Sequence, residues 1–146
     1  MTNEPGTTLP ELILLLLLVA LLTAFAVPAT RNARDQAAVR SARDALAGTV
    51  ARTRMLALSR GSARLAVDLA GDAVHIESPA GEAAEPRREL GAEFGVDIVV
   101  DQATAPVMLD FDGLGVGRLA NRTFRIRRGA AEARLTLSTY GRPRRW

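Results

Sequence analysis

Few side chains in this sequence have the chemistry to act on a ligand, and their spacing narrows the field further. Cysteine is absent, which removes thiol nucleophiles, disulfide frameworks and zinc–thiolate sites together. His75 is the single histidine. Without a second imidazole or a thiolate it makes no transition-metal site unless carboxylates join it, and the alternation around it reads as an outward-facing strand residue. Asp110-x-Asp112-Gly113 carries part of a calcium-loop pattern, but the remaining ligands of such a loop are missing. The expected use of Asp112 is an Asx-type turn at the end of a strand. No nucleophile elbow, phosphate-cradling glycine loop or paired general base is present. The expectation is a chain with no catalytic site, no metal and no cofactor, hence not an enzyme.

What remains is charge. The net charge of +3 conceals an uneven distribution. Eleven acids between Asp68 and Asp112 face only Arg87 and Arg88, whereas nine arginines after Gly113 face Glu132 alone. The soluble part is therefore expected to be electrically polar. Arg125, Arg127 and Arg134 alternate with apolar residues and stand close in sequence to Arg142, Arg144 and Arg145. Such a cluster offers a cationic surface that is either plainly solvated or meets one of two partners. It suits a DNA backbone, with affinity falling steeply as salt rises, or the acidic region of a neighbouring subunit. Only Tyr140 and Trp146 stand by to stack on bases.

The elements that must carry these residues follow from periodicity. From Ala29 to Ser59 the sequence has no proline and only Gly48, and its Ala, Arg, Gln and Leu content suits a helix. Val39, Ala42, Leu46, Val50, Thr53 and Ala57 fall on one stripe at spacings of three and four, the face that packs on the rest. After Gly61 the period becomes two. Arg64–Leu69 and Ala73–Glu77 read as a hairpin around a tight Gly71-Asp72 turn. Pro79 to Glu89 reads as a loop. Val96–Val100 and Val107–Phe111 read as strands, and Thr123–Arg128 with Arg134–Ser138 as a second hairpin around Gly129. In it Phe124 and Ile126 point inward, and Arg125 and Arg127 outward. Six short strands covering one helix make an α+β fold.

The N-terminal region needs a different solvent. Leu12 to Val27 is apolar except for Thr23; as a helix it reaches about 24 Å, enough to cross a hydrocarbon core of about 30 Å only with help from its flanks. An ordinary transmembrane anchor, a secretory signal peptide and a filament-forming helix each fit a segment of this kind. Ala24-Phe25-Ala26 resembles a signal-peptidase site, but no basic residue precedes the run and Glu11 abuts it. A carboxylate at the edge of a bilayer is costly to desolvate and calls for a cation.

Gly6-Thr7-Thr8-Leu9-Pro10-Glu11-Leu12 followed by the apolar run resembles the prepilin signature of the type IV pilin-like superfamily. The resemblance implies a leader, residues 1–6, that a prepilin peptidase removes between Gly6 and Thr7, and N-methylation of Thr7. It makes Glu11 the fifth mature residue, where the family's glutamate meets the terminal amine of a neighbouring subunit, and makes Pro28 the twenty-second, where many pilins carry a kinking proline. Toward the other end, Phe111-Asp112-x-Leu114-Gly115 and Leu135-x-Leu137-Ser138-x-x-Gly141-Arg142-x-Arg144 are similar to the end of GspH/FimT-type pseudopilins.

The resemblance implies a membrane and filament-core helix over 7–28, its amphipathic continuation over 29–60 and a β-rich head over 61–146. It also implies a single pass of the inner membrane with the head in the periplasm, although Arg31, Arg34, Arg40 and Arg43 after the span would by themselves favour a cytoplasmic C-terminal side. The implied function is that of a minor pseudopilin in a type II secretion pseudopilus. The alternative is a FimT-like minor pilin of a pilus or DNA-uptake apparatus, binding DNA through its C-terminal arginines. Its expected partners are other pseudopilins or pilins, the peptidase, an inner-membrane assembly platform and membrane lipid, with DNA the partner of the alternative.

Overall fold

The computed structural model describes residues 8–78, 80–101, 103, 106–118 and 121–146, with residues 25–28 described as backbone alone. Helix α1 runs over Leu9–Arg60. Two compact units divide the chain, the first ending at Arg34 and the second spanning Asp35–Trp146. In the first unit every side chain from Thr8 to Ala24 is exposed, as a rod of leucines can be only where the surroundings are apolar. This part of α1 is long and apolar enough to cross a membrane. Thr23 hides its polarity by donating its hydroxyl to the Val19 and Ala20 carbonyls one turn back, the usual way a hydroxyl is satisfied within a helix.

In the second unit α1 meets two antiparallel sheets. The first has the order β3-β2-β1-β5-β6, built from β1 (Ser62–Asp68), β2 (Ala73–Glu77), β3 (Arg88–Glu89), β5 (Val107–Asp112) and β6 (Gly117–Arg118). The second has the order β4-β7-β8-β9, built from β4 (Asp97–Val100), β7 (Arg122–Arg128), β8 (Ala131–Leu137) and β9 (Pro143–Arg145). A short helix α2 (Leu90–Phe94) joins β3 to β4.

The helical stripe read from spacing is the one that is buried. Val39, Ala42, Leu46, Val50, Thr53 and Ala57 are all inaccessible to solvent. The apolar members of the stripe join Leu65, Val67 and Phe111 of the first sheet and Phe124, Ile126 and Leu135 of the second in one cluster. Thr53 is tolerated there because its hydroxyl donates to the Thr49 carbonyl. Each fully buried Val, Leu, Ile or Phe side chain contributes about 1.5–3 kcal/mol, so the cluster outweighs any single polar link.

Polar links also tie the helix to both sheets. Asp35 pairs with Arg128 at 2.9 Å and Asp44 with Arg145 at 3.7 Å, both from the second sheet. Further along, Arg54 donates to the Gly115 carbonyl at 2.8 Å, next to the first sheet.

Several local expectations are corrected. The β1–β2 connection is a four-residue loop, since Asp68 pairs with Ala73. The Asp68 carboxylate closes it by accepting the Ala70 and Gly71 amides. Asp72 adopts φ +46° there and sends its carboxylate to the Ile98 amide on β4 at 2.7 Å, linking the two sheets. Residues 80–89 are not featureless, since Glu77 bridges Ala83 and β3 follows. Helix α2 escaped the periodicity reading because five residues show no period. Three extra strands, β3, β6 and β9, are only two or three residues long, so alternation cannot announce them. Gly129, expected at the second hairpin's turn, sits between paired Arg128 and Ala131 with φ +55°, where glycine avoids the Cβ penalty.

Candidate functional site

Two places gather the residues singled out above. At the N-terminus, Glu11 lies in the first turn of α1, where the Thr8 carbonyl accepts the amides of Glu11 and Leu12 at 3.0 and 3.1 Å. The side chain is exposed. A carboxylate in the first helical turn faces the positive end of the helix dipole, a local source of positive potential that the sequence reading left out. Gly6 and Thr7 lie outside the described residues. Position 28 is helical in backbone, within α1.

The second place is the outer face of the second sheet. Phe124 and Ile126 are fully buried and Arg127 is exposed, as alternation requires. The cross-strand register then decides which arginines are neighbours. Arg125 stands opposite Arg134, Arg127 opposite Glu132, and Thr123 opposite Thr136. Thr136 in turn stands opposite Arg144. Arg134 exchanges both backbone hydrogen bonds with Trp146, at 3.0 and 3.2 Å, which places the indole at the end of the Arg125–Arg134 row.

The six arginines proposed from sequence therefore do not form one surface. Arg125, Arg127, Arg134 and Arg144 share the outer face. Arg145 alternates to the other side, where it pairs with Asp44 of α1. Arg142 sits in the turn before β9 and gives its backbone amide to the Ser138 hydroxyl.

Two acids that the sequence reading did not connect to this face hold it in order. Asp101 accepts from Arg125 Nη2 at 2.8 Å. Glu132 accepts from Arg134 at 2.6 Å and from Arg127 at 2.9 Å, and these two guanidinium bonds, Arg134 first, hold its carboxyl below the ordinary glutamate range. The Nε of Arg125 is buried without a hydrogen-bond partner. Arg142 and Arg144 make no ion pair among the described residues.

The other candidate residues have local employment. The Asp112 carboxylate accepts the Leu114 and Val116 amides at 3.0 Å each, the Asx-type turn expected of it. His75 is half-buried and lies 2.8 Å from Glu77 through Nε2. Among the described residues no cluster of three or more His, Cys, Asp or Glu side chains is placed to hold a metal ion.

The tail motif Gly141-Arg142-x-Arg144 has a packing reason for its glycine. Gly141 has φ +72°, and a Cβ there would stand 2.5 Å from the Phe111 ring. Only glycine lets the β8–β9 turn settle against the first sheet.

A long N-terminal apolar helix continued into a head of antiparallel sheets defines a pilin-like α+β fold. Solved structures bear this out: the chain is similar to the type IV minor pilin FimU of Pseudomonas aeruginosa in two crystal forms. The TM-scores are 0.57 and 0.56 at 21% and 22% identity, with 74% and 73% of this chain and 87% and 91% of FimU covered. No family model matches the chain, and no curated protein matches it.

Proposed function

We propose that this chain is a minor structural subunit of a type IV pilin-like filament, anchored by α1 in the inner membrane with its head in the periplasm until it is assembled. The observation that carries the reading is the conjunction of a FimU-like fold with Gly6, Thr7 and Glu11 in prepilin register ahead of the apolar run. In this reading a prepilin peptidase cuts after Gly6, and Thr7 becomes the N-methylated terminus. Glu11 then finds its counter-charge in the terminal amine of an adjacent subunit, and Pro28 bends the helix. An isolated carboxylate against a leucine rod is unfavourable in lipid, so pairing it favours helix association.

The filament is, in our reading, the pseudopilus of a type II secretion machine, with other pseudopilins and an inner-membrane platform as partners. The chain acts there as a structural part, not as an enzyme. A second reading makes it a minor pilin of a type IV pilus or DNA-uptake apparatus. It draws support from the description of FimU as a type IV minor pilin and from the exposed Arg142 and Arg144.

Mass spectrometry of the protein extracted from membranes of a host that carries the peptidase tests the anchor. A terminus at Thr7 is expected, and one that retains Met1 to Gly6 would overturn the reading.

A further inference from the structure

The outer face of the second sheet contains an arrangement that a merely solvated surface does not need. Arg125 and Arg134 are directly opposed on neighbouring antiparallel strands. Because the backbone groups of Arg134 are bonded to Trp146 on the other side, this is a non-hydrogen-bonded pair, the kind in which opposing side chains come closest. Like charges at such a position are unfavourable. Each guanidinium is drawn to an acid, Arg125 to Asp101 and Arg134 to Glu132. Beside the pair lies an open concavity of about 450 Å³ lined by Asp101, Thr123, Arg125, Arg134, Thr136 and Trp146. The Thr123 and Thr136 hydroxyls lie 3.2 Å apart. One of their two hydrogens serves that bond, and the other is left to donate elsewhere. Trp146 is 71% exposed.

We propose that this concavity is a docking slot for a single carboxylate side chain of a partner protein subunit, with Trp146 covering the apolar stem of that residue. An anion seated between the two guanidiniums converts their repulsion into two attractions. Arg125 now spends one Nη on Asp101 and leaves Nε without a partner, so turning its fork to a carboxylate would engage both nitrogens at once.

The flanking charges select a protein over a nucleic acid. A phosphate backbone laid along this face would cross Asp101 and Glu132, and Glu132 already serves both Arg127 and Arg134. A lone carboxylate meets only Asp101, which lines the slot and from which Arg125 would turn to receive it. The slot rests on the reading of the chain as an assembling subunit, which brings a partner protein close, and it adds which face is used and what chemistry it receives.

The full-length protein in detergent micelles provides its own reporter, since Trp146 is the single tryptophan. Its emission is followed against three probes: a short peptide rich in Asp and Glu, the same peptide with Asn and Gln, and a single-stranded oligonucleotide of similar length. Saturable change with the acidic peptide is expected, at least tenfold weaker with the amide peptide. Arg134→Ala and Arg125→Ala should each weaken it about tenfold, and Arg125→Lys, which keeps the charge and loses the fork, by less. Arg64→Ala, on the first sheet, should leave it unchanged. Equal response to the amide peptide, response to the oligonucleotide alone, or equal loss with Arg64→Ala overturns the slot. The N-terminus is sequenced on the same preparation. Failure of the peptide with Thr7 as the terminus strikes the slot, whereas a retained leader strikes the filament reading.

Discussion

The outer faces of the two sheets use the same residue to opposite ends. Across the first sheet, Glu77, Arg64, Asp110 and Arg118 form one row on four strands, with Arg64 opposite both Glu77 and Asp110, and Asp110 opposite Arg118. The signs alternate. Arg64 Nε lies 2.6 Å from Asp110, and this bond, helped by Glu77, keeps the guanidinium charged above its ordinary range. Across the second sheet the corresponding row is Val99, Arg125, Arg134 and Trp146, in which two cations adjoin. One face neutralises itself, and the other keeps cationic capacity. Composition cannot separate them, because both draw on outward-facing arginine; the difference lies in what the neighbouring strand places opposite.

The strongest way to break the contrast is to dislodge β9, which carries Arg144 and leads to Trp146. Gly141→Ala adds a Cβ at positive φ against Phe111 and should cost about 2–4 kcal/mol, strain and overpacking together, read from denaturant unfolding. A loss under 1 kcal/mol would mean that the turn has room to shift.

A smaller but more direct comparison neutralises one arginine on each face. Arg64→Gln deprives both Asp110 and Glu77 of a partner and should cost about 0.5–1 kcal/mol. Arg134→Gln loses a bond to Glu132 but relieves Arg125, and should fall within about 0.5 kcal/mol of zero. The gap between the two should shrink in 1 M salt. If Arg134→Gln is the more destabilising, the cation pair is not a repulsive one.

The subtlest effect concerns the junction of the sheets. Burial pushes the Asp72 carboxyl up, partly offset by the Ile98 amide and reinforced by Asp97 and Asp68. A carboxyl raised on folding holds its proton better in the folded state. Stability from this group is therefore present at acid pH and is lost as pH rises from the ordinary aspartate range through the raised value. Asp72→Asn keeps an acceptor for the Ile98 amide and suits the positive φ. Its melting temperature should exceed that of the parent at pH 7, with the difference closing toward pH 3.5. A difference independent of pH would assign the effect to the backbone instead.

Much of the architecture was legible residue by residue. The stripe from Val39 to Ala57 and the inward Phe124 and Ile126 were readable because burial follows the period of a single element, and a period is a local property of the chain. The Asx turn at Asp112 was readable for the same reason, since its carboxylate reaches amides only two and four residues ahead. The short strands β3, β6 and β9 were not, because two or three residues carry no alternation. Nor was the order of the candidate arginines. Six of them looked like one cluster, whereas Arg145 turns toward Asp44 and Arg127 shares Glu132 with Arg134.

The amino-acid sequence alone determined that a leucine-rich segment headed by Glu11 needs an apolar medium and that a helix stripe needs a sheet to cover it. Each follows from the solvation and periodicity of neighbouring residues. Only the tertiary structure decided that Arg125 would face Arg134, that Asp101 and Glu132 would restrain them, and that Trp146 would stand beside the gap. Those pairings join strands through register, and register is fixed by how whole elements pack, which no single stretch of chain contains.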